Sequence, residues 1–196
     1  MPSSPRAASW TVLLLAAALG AAPATAQDQL VERILAVAEG RPVLLSEVHI
    51  IQGLRGLDEK AALEELIDER LMLREAGRLA ESAVTAAEEE RALQRLRESS
   101  AFARGVPEAS LRRLVRRQTA ILKYVDFRFR PQVNTSDADV RAAYEQRYAD
   151  RTGAPSYEDA APGLRQELLA HALDLRIEAW VAELRRSAAI RYNGAR

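Results

Sequence analysis

The sequence predicts a mainly α-helical protein with a small β-hairpin or sheet near its N-terminal end. Ala, Leu, Glu and Arg dominate its 196 residues, with only nine Gly and eight Pro, and such a composition favours helices. Beyond residue 58, apolar residues recur at helical spacing over most of the chain. Before that point, two short apolar runs are separated by Glu39-Gly40, an arrangement typical of a hairpin turn.

The charge balance and the residue types present exclude several classes of function. The chain has 28 basic and 28 acidic side chains, whereas a dedicated nucleic-acid-binding protein normally has a clear basic excess. Cysteine does not occur, which excludes disulfides, zinc–thiolate sites and a thiol nucleophile. The sequence contains no glycine loop of the Walker or dinucleotide-binding type. His171, with Glu167 and Asp174 nearby, has too few ligands for a convincing metal site, so we predict no metal and no cofactor.

Residues 1–26 have the layout of a secretory signal peptide. Arg6 is the only charged residue, residues 11–22 are an uncharged apolar run, and Ala24-Thr25-Ala26 supplies small side chains for a cleavage site. The apolar run is shorter than the ~20 residues that span a bilayer. We therefore expect cleavage after Ala26 and no stable membrane insertion of the mature protein. An uncleaved N-terminal anchor is the alternative.

The first structural elements follow the leader directly. Residues 34–38 and 42–45 form the two arms of the predicted hairpin. Ser46 is a residue type that caps helices, and it predicts a short helix ending near Gly53. Asp58 precedes a longer helical pattern that extends to about Ala80.

Cap signatures divide the middle of the chain into further helices. Thr85 and Glu88 form a capping box that opens a polar helix. Pro107 suits the first turn of the next helix, which ends before Pro131. Its apolar residues at helical spacing are Leu111, Leu114, Val115, Ile121, Leu122 and Val125. Ser136 and Asp139 then open another helix.

The last part of the chain predicts a linker, a long helix and a short strand. Residues 151–155 contain Gly153 and Pro155 and are the best linker candidate. Ser156 and Asp159 cap a helix of about 30 residues, long enough to project from a compact domain. Residues 188–192 after it have the alternating pattern of a strand.

Three apolar side chains are candidates for binding an apolar partner. Met72 lies in Leu71-Met72-Leu73, and three consecutive residues cover about 200° of a helix, so they do not all face one narrow core. Methionine is flexible and polarisable, which suits a surface that binds varied partners. Phe127 and Phe129 lie near a helix end and have the same ambiguity. For all three residues, internal packing is the alternative.

A basic stretch on the helix after Pro107 has two interpretations. It is the solvated face of an amphipathic helix, or a patch that attracts acidic partners or anionic lipid headgroups. Its members are Arg112, Arg113, Arg116, Arg117, Lys123, Arg128 and Arg130.

Taken together in order and spacing, these segments resemble the SurA-like periplasmic chaperones. Residues 31–48 are similar to the opening strand, turn and helix of the mature family members, and residues 63–76 to the helix that follows. The other similar segments are residues 85–88, 117–128, 134–137 with Tyr144, and 157–192. The resemblance implies an N-terminal chaperone module over residues 27–150. It also implies that residues 151–196, comprising a linker, the C-terminal helix and the strand, pack back on this module.

The chain departs from the family pattern at one decisive place. Parvulin prolyl-isomerase domains of SurA-like proteins follow the segment that contains Tyr144, whereas here only eight residues separate Tyr148 from Tyr157. We therefore expect no isomerase activity and no catalytic residues, and the balanced charge predicts no nucleic-acid partner. The resemblance implies an ATP-independent periplasmic holdase for unfolded exported or outer-membrane polypeptides. Met72, Phe127 and Phe129, chosen from their positions on the predicted helices, are the candidates for binding such clients. The alternatives are a dedicated assembly subunit that docks on one partner and a degenerate prolyl isomerase.

Overall fold

A computed structural model describes residues 32–149 and 151–193 of the protein. The predicted leader, residues 1–26, and its cleavage site lie outside these residues. The described part confirms a mainly α-helical fold with a small three-stranded antiparallel sheet. Its strands and α-helices are β1 (Ile34–Ala38), β2 (Arg41–Leu44), α1 (Leu45–Arg55), α2 (Glu59–Ala76), α3 (Ala86–Ser99), α4 (Glu108–Arg128), α5 (Asp137–Tyr148), α6 (Tyr157–Ser187) and β3 (Ile190–Tyr192).

The turn between β1 and β2 is fixed by contacts with distant parts of the chain. Glu39 and Gly40 both have positive φ, +50° and +75°, the left-handed conformation that two-residue hairpin loops of type I′ require. The N–H of Glu39 donates to the carbonyl of Ala189 at 3.0 Å, and its carboxylate accepts from the N–H of Ala189 at 2.8 Å. The Glu39 carboxylate also pairs with Arg74 of α2 at 2.5 Å. The Ala189 N–H and Arg74 together hold the pKa of Glu39 below its usual value.

The C-terminal strand completes the sheet, whose order is β2-β1-β3. β3 is antiparallel to β1, with Ala36 opposite Tyr192 and Ala38 opposite Ile190. The Tyr192 hydroxyl donates to Glu64 of α2 at 3.0 Å. The chain segment predicted as a strand therefore lies beside the N-terminal hairpin, about 150 residues earlier in the sequence.

The main core lies between the sheet, α1 and α2. Its fully buried side chains include Val43, Val48, Ile51, Leu66, Ile67 and Leu71. A second cluster joins α3 to the first half of α4 around Leu93 and Leu111. A third joins the end of α4 to α6, where Ile121, Val125 and Phe129 pack near Trp180.

Four charged side chains are packed against this core in a single network. Arg70 pairs with Glu47 at 2.6 Å and with Glu69 at 3.0 Å, and Arg117 pairs with Glu69 and, at 3.3 Å, with Glu47. Glu69 and Arg70 are buried. Since Glu47 lies on α1, Glu69 and Arg70 on α2 and Arg117 on α4, the network fixes these three helices together.

Two predicted boundaries differ from the structure. α1 begins at Leu45, so Ser46 does not cap it and lies in its first turn, where the hydroxyl donates to Glu32 at 2.8 Å. α2 ends at Ala76, not near Ala80, and residues 80–82 form a separate 3-10 turn.

The long helix α6 has 31 residues, about 45 Å at 1.5 Å per residue. Its C-terminal part is held to α2 by Arg185, which pairs with Glu64 at 2.7 Å and with Asp68. Its N-terminal part packs against α5, where Arg147 pairs with Glu167 at 2.7 Å. Among the described residues, no helix combines the length and the apolar character needed to cross a membrane.

Deleting residues 188–196 tests the contribution of β3. The deletion removes the pairing with β1, both hydrogen bonds between Glu39 and Ala189, and the packing of Ile190 on the core. With each hydrogen bond contributing about 1 kcal/mol, we expect the melting temperature to fall by about 10 °C. A chain ending at Asn193 is the matched control, since it keeps the whole strand. An unchanged melting temperature for the longer deletion would show that β3 contributes nothing to stability.

A substitution at Gly53 tests how the segment between α3 and α4 packs against α1. A Cβ at residue 53 would lie 2.1 Å from the ring of Phe102, so Gly53→Ala must displace that ring. Alanine is also the better helix former, by about 1 kcal/mol. We expect Gly53→Ala to lower the free energy of unfolding by about 1 kcal/mol in the wild-type background but to raise it in a Phe102→Ala background. Urea denaturation of the wild type, the two single variants and the double variant gives the change in unfolding free energy in each background. A change of the same sign in both backgrounds would contradict this packing.

Candidate functional site

An exposed leucine on α4 is flanked by two apolar depressions. Leu122 is 62% exposed and lines both of them. The depression toward α1 and α2 has a volume of about 240 Å³, and the one toward α3 has a volume of about 320 Å³. We call the two together the Leu122 groove. Its lining consists of Arg55, Glu65, Glu69, Met72, Ala92, Arg95, Leu96, Ser99, Val115, Gln118, Thr119, Ile121 and Leu122.

The amphipathic pattern of α4 explains why Leu122 faces outward. Ile121 and Val125 belong to the buried stripe of this helix. Successive residues are rotated by about 100°, so Leu122 lies to one side of that stripe. It faces the gap between α2 and α3. The sequence pattern placed Leu122 among the apolar residues at helical spacing but did not indicate that it faces outward.

The structure separates the three candidate binding residues. Met72 is partly buried and lines the groove on its α2 side, while also packing beside the core. Phe127 is 53% exposed but lies outside the residues that line the groove.

Phe129 is a core residue, contrary to its prediction as a binding candidate. It is only 4% exposed, and its ring packs edge-on against Trp180 with centroids 5.1 Å apart. The Tyr124 ring stacks on Trp180 with centroids 5.0 Å apart and also meets the Phe129 ring edge-on at 6.0 Å. Because the chain turns at the end of α4, Phe129 is directed between α4 and α6 and is not available to a partner.

Most of the predicted basic stretch on α4 is neutralised by acidic residues nearby. Arg112 pairs with Glu108 and Glu90, both at 2.8 Å, and Arg116 pairs with Glu89 at 2.9 Å. Lys123 pairs with Glu88 and Arg130 with Asp126, while Arg117 belongs to the network beside the core. Only Arg113 and Arg128 of the seven form no ion pair with a described residue. A continuous, unneutralised basic patch on α4 is therefore not present.

Glu88 joins the start of α3 to α4. Its carboxylate accepts from the N–H of Thr85 at 2.8 Å and pairs with Lys123 at 2.9 Å. The Thr85 N–H and Lys123 together lower the pKa of Glu88 to about 2. Lys123 also donates to the carbonyl of Ala83 at 2.5 Å, so the clamp includes the residues before α3.

The rim of the groove carries two guanidinium groups, of which one is in an ion pair and the other is not. Arg55 pairs with Glu65 at 3.1 Å across the α1–α2 side. Burial raises the pKa of the Glu65 carboxyl, with neighbouring Arg55 opposing the rise. Arg95 lies on the α3 side, is exposed, and forms no ion pair within the described part of the chain.

His171, the histidine considered for metal binding, belongs to no group of metal-binding side chains within the described residues. Glu167, the nearest candidate ligand by sequence, is paired with Arg147. In residues 32–149 and 151–193, no three or more His, Cys, Asp or Glu side chains are grouped so that they could hold a metal ion.

Comparison of the chain with protein-family models and with curated proteins finds no match in either case.

The composition of the groove is suited to binding an apolar partner. Most of its lining consists of apolar, amide and hydroxyl groups. Of its four charged side chains, Arg55, Glu65 and Glu69 are in ion pairs, and Arg95 forms none with a described residue. The sequence indicated Met72 but missed Leu122. The available signal was the position of Leu122 one residue beyond the stripe that contains Ile121 and Val125.

Glu88→Gln tests how much the negative charge of Glu88 stabilises the contact between α3 and α4. Glutamine keeps an oxygen that can accept from the Thr85 N–H, so mainly the charge is removed. A carboxyl whose pKa is lowered on folding stabilises the fold above its unfolded pKa, near 4.5, and loses that effect as the pH falls toward 2. We expect Glu88→Gln to lower the melting temperature at pH 7, and the difference from wild type to shrink between pH 4.5 and 2. Glu98→Gln, exposed on the same helix, is the control. A difference that is independent of pH would contradict this role.

Proposed function

We propose that the protein is an ATP-independent periplasmic holdase of the SurA-like class, which binds unfolded exported or outer-membrane polypeptides in the Leu122 groove. The observation that carries the proposal is the 62% exposed Leu122 between two apolar depressions. Exposed apolar surface that is continuous, and not scattered, usually marks an interaction site. The signal-peptide pattern of residues 1–26 supports the proposed location.

Two further features support the family resemblance behind this proposal. The C-terminal strand β3 lies beside β1, which is the arrangement that the resemblance implies for the chaperone module. The connection from α5 to α6, residues 149–156, leaves no room for a parvulin domain. We therefore propose a binding protein without isomerase activity.

The proposed mechanism depends on many weak contacts. Covering the exposed part of Leu122 contributes about 1–2 kcal/mol, and the walls of the groove add further apolar area at roughly 25 cal/mol per Å². Ordering an unfolded client opposes this gain. Affinity for any one segment is then modest, and release needs no nucleotide. Met72 suits such a site, because its flexible side chain adapts to different apolar groups.

Leu122→Glu tests the groove directly. A carboxylate at this position places a charge where the client's apolar side chains would bind, so we expect suppression of client aggregation to fall at least about twofold. Leu175→Glu is a matched control, because Leu175 is also a half-exposed leucine on a helix, 52% exposed, but lies outside the groove. Light scattering of several unrelated unfolded proteins, without ATP, measures the effect. Circular dichroism should be unchanged for both variants.

The same measurements separate the proposal from its alternatives. Failure of the wild type to slow aggregation of every client at a few-fold molar excess would refute general holdase function and favour a subunit dedicated to one partner. Equal activity of Leu122→Glu and Leu175→Glu would place client binding elsewhere. Acceleration of a proline-peptide isomerisation assay, abolished by a point substitution, would favour the isomerase.

A further inference from the structure

We propose that the Leu122 groove selects client segments in which an acidic residue lies close to an apolar anchor. This inference rests on the proposed holdase function and specifies which polypeptide segments the groove prefers. The apolar side chain of the segment contacts Leu122, and its carboxylate lies against Arg95.

The first argument is the state of Arg95. It lines the α3 side of the groove beside Leu96 and Leu122, is exposed, and forms no ion pair with a described residue. Arg91 on α3 and Arg113 and Arg128 on α4 also form no ion pair with a described residue, but Arg95 differs from them because it lines the groove. Arg97, two residues further along α3, pairs with Glu108 at 3.0 Å, and Arg112 opposite pairs with three glutamates.

The second argument is that both carboxylates of the groove are already neutralised. Glu65 is paired with Arg55, and Glu69 is buried between Arg70 and Arg117. The Arg55 side chain remains 50% exposed, and a guanidinium has five N–H donors, so Arg55 has donors left for a second carboxylate. The groove therefore presents an uncompensated positive charge at its α3 rim and no uncompensated negative charge from a described residue.

These charges give a preference of limited size. An exposed ion pair changes binding by about two- to fivefold. Charges at the rim of a site mainly affect the association rate and make binding sensitive to salt. The apolar contact with Leu122 supplies affinity for any client, and Arg95 distinguishes among clients.

A pair of labelled peptides tests the proposal. Both have the same uncharged apolar centre, and one is flanked by glutamates while the other is flanked by lysines. Fluorescence anisotropy with the purified protein at low salt measures both dissociation constants. We expect the wild type to bind the glutamate peptide two- to fivefold more tightly. Arg95→Glu should remove or reverse this preference, and Arg186→Glu, an equal charge change at an exposed position of α6, should retain it.

The outcomes distinguish this proposal from the proposed function. Binding of both peptides with equal affinity, unchanged in Arg95→Glu but lost in Leu122→Glu, would overturn the acidic preference and leave the holdase proposal standing. Binding of neither peptide by the wild type would overturn both.

Vesicles of phosphatidylglycerol and phosphatidylcholine test a different occupant, an anionic lipid. Weaker vesicle binding by Arg95→Glu, with no change in the preference between peptides, would assign Arg95 to lipid and overturn the peptide proposal. Unchanged vesicle binding together with a lost peptide preference would support it.

Discussion

The ion-pair network of Glu47, Glu69, Arg70 and Arg117 is the constraint on which the arrangement of the helices depends. A buried charge without a partner is strongly destabilising, so each member must be placed within reach of the others. Arg70 also reaches β2, where its side chain donates to the carbonyl of Pro42 at 3.5 Å. The network thus connects the hairpin, α1, α2 and α4. Because Arg117 is little more than one turn from Leu122 on α4, it also determines where the exposed leucine points.

The helix α2 takes part in several further tertiary contacts, using different faces. Leu66 and Leu71 face the core. Glu64 and Asp68 hold α6 through Arg185, and Glu64 also accepts the Tyr192 hydroxyl that secures β3. Glu65 and Met72 form one wall of the groove. A change that rotates α2 would therefore disturb the closure of the sheet and the shape of the groove together.

Local signals in the sequence predicted the fold class and most helix starts, whereas the site depended on tertiary contacts. Thr85, Ser136 and Ser156 cap helices as expected, because their hydroxyls accept from N–H groups three residues later. The exposure of Leu122 and the burial of Phe129 did not follow from the sequence, since periodicity does not determine which neighbouring helix covers a given face. The sequence also did not indicate which acidic residues pair with the cations of α4. Arg112 and Lys123 meet partners 22 to 35 residues away, and only the antiparallel packing of α3 on α4 brings them together.

The packing of α3 on α4 also explains why the rim of the groove is positively charged. The glutamates at the start of α3, Glu88 to Glu90, are used by cations of α4. The second half of α3 faces the groove, and there Arg95 forms no ion pair with a described residue. An exposed apolar groove invites self-association, but a positive rim opposes the approach of an identical groove while leaving apolar contacts available to an acidic segment. In the proposed function, this charge asymmetry along α3 would let the groove stay open in the free protein and bind an acidic segment of an unfolded chain.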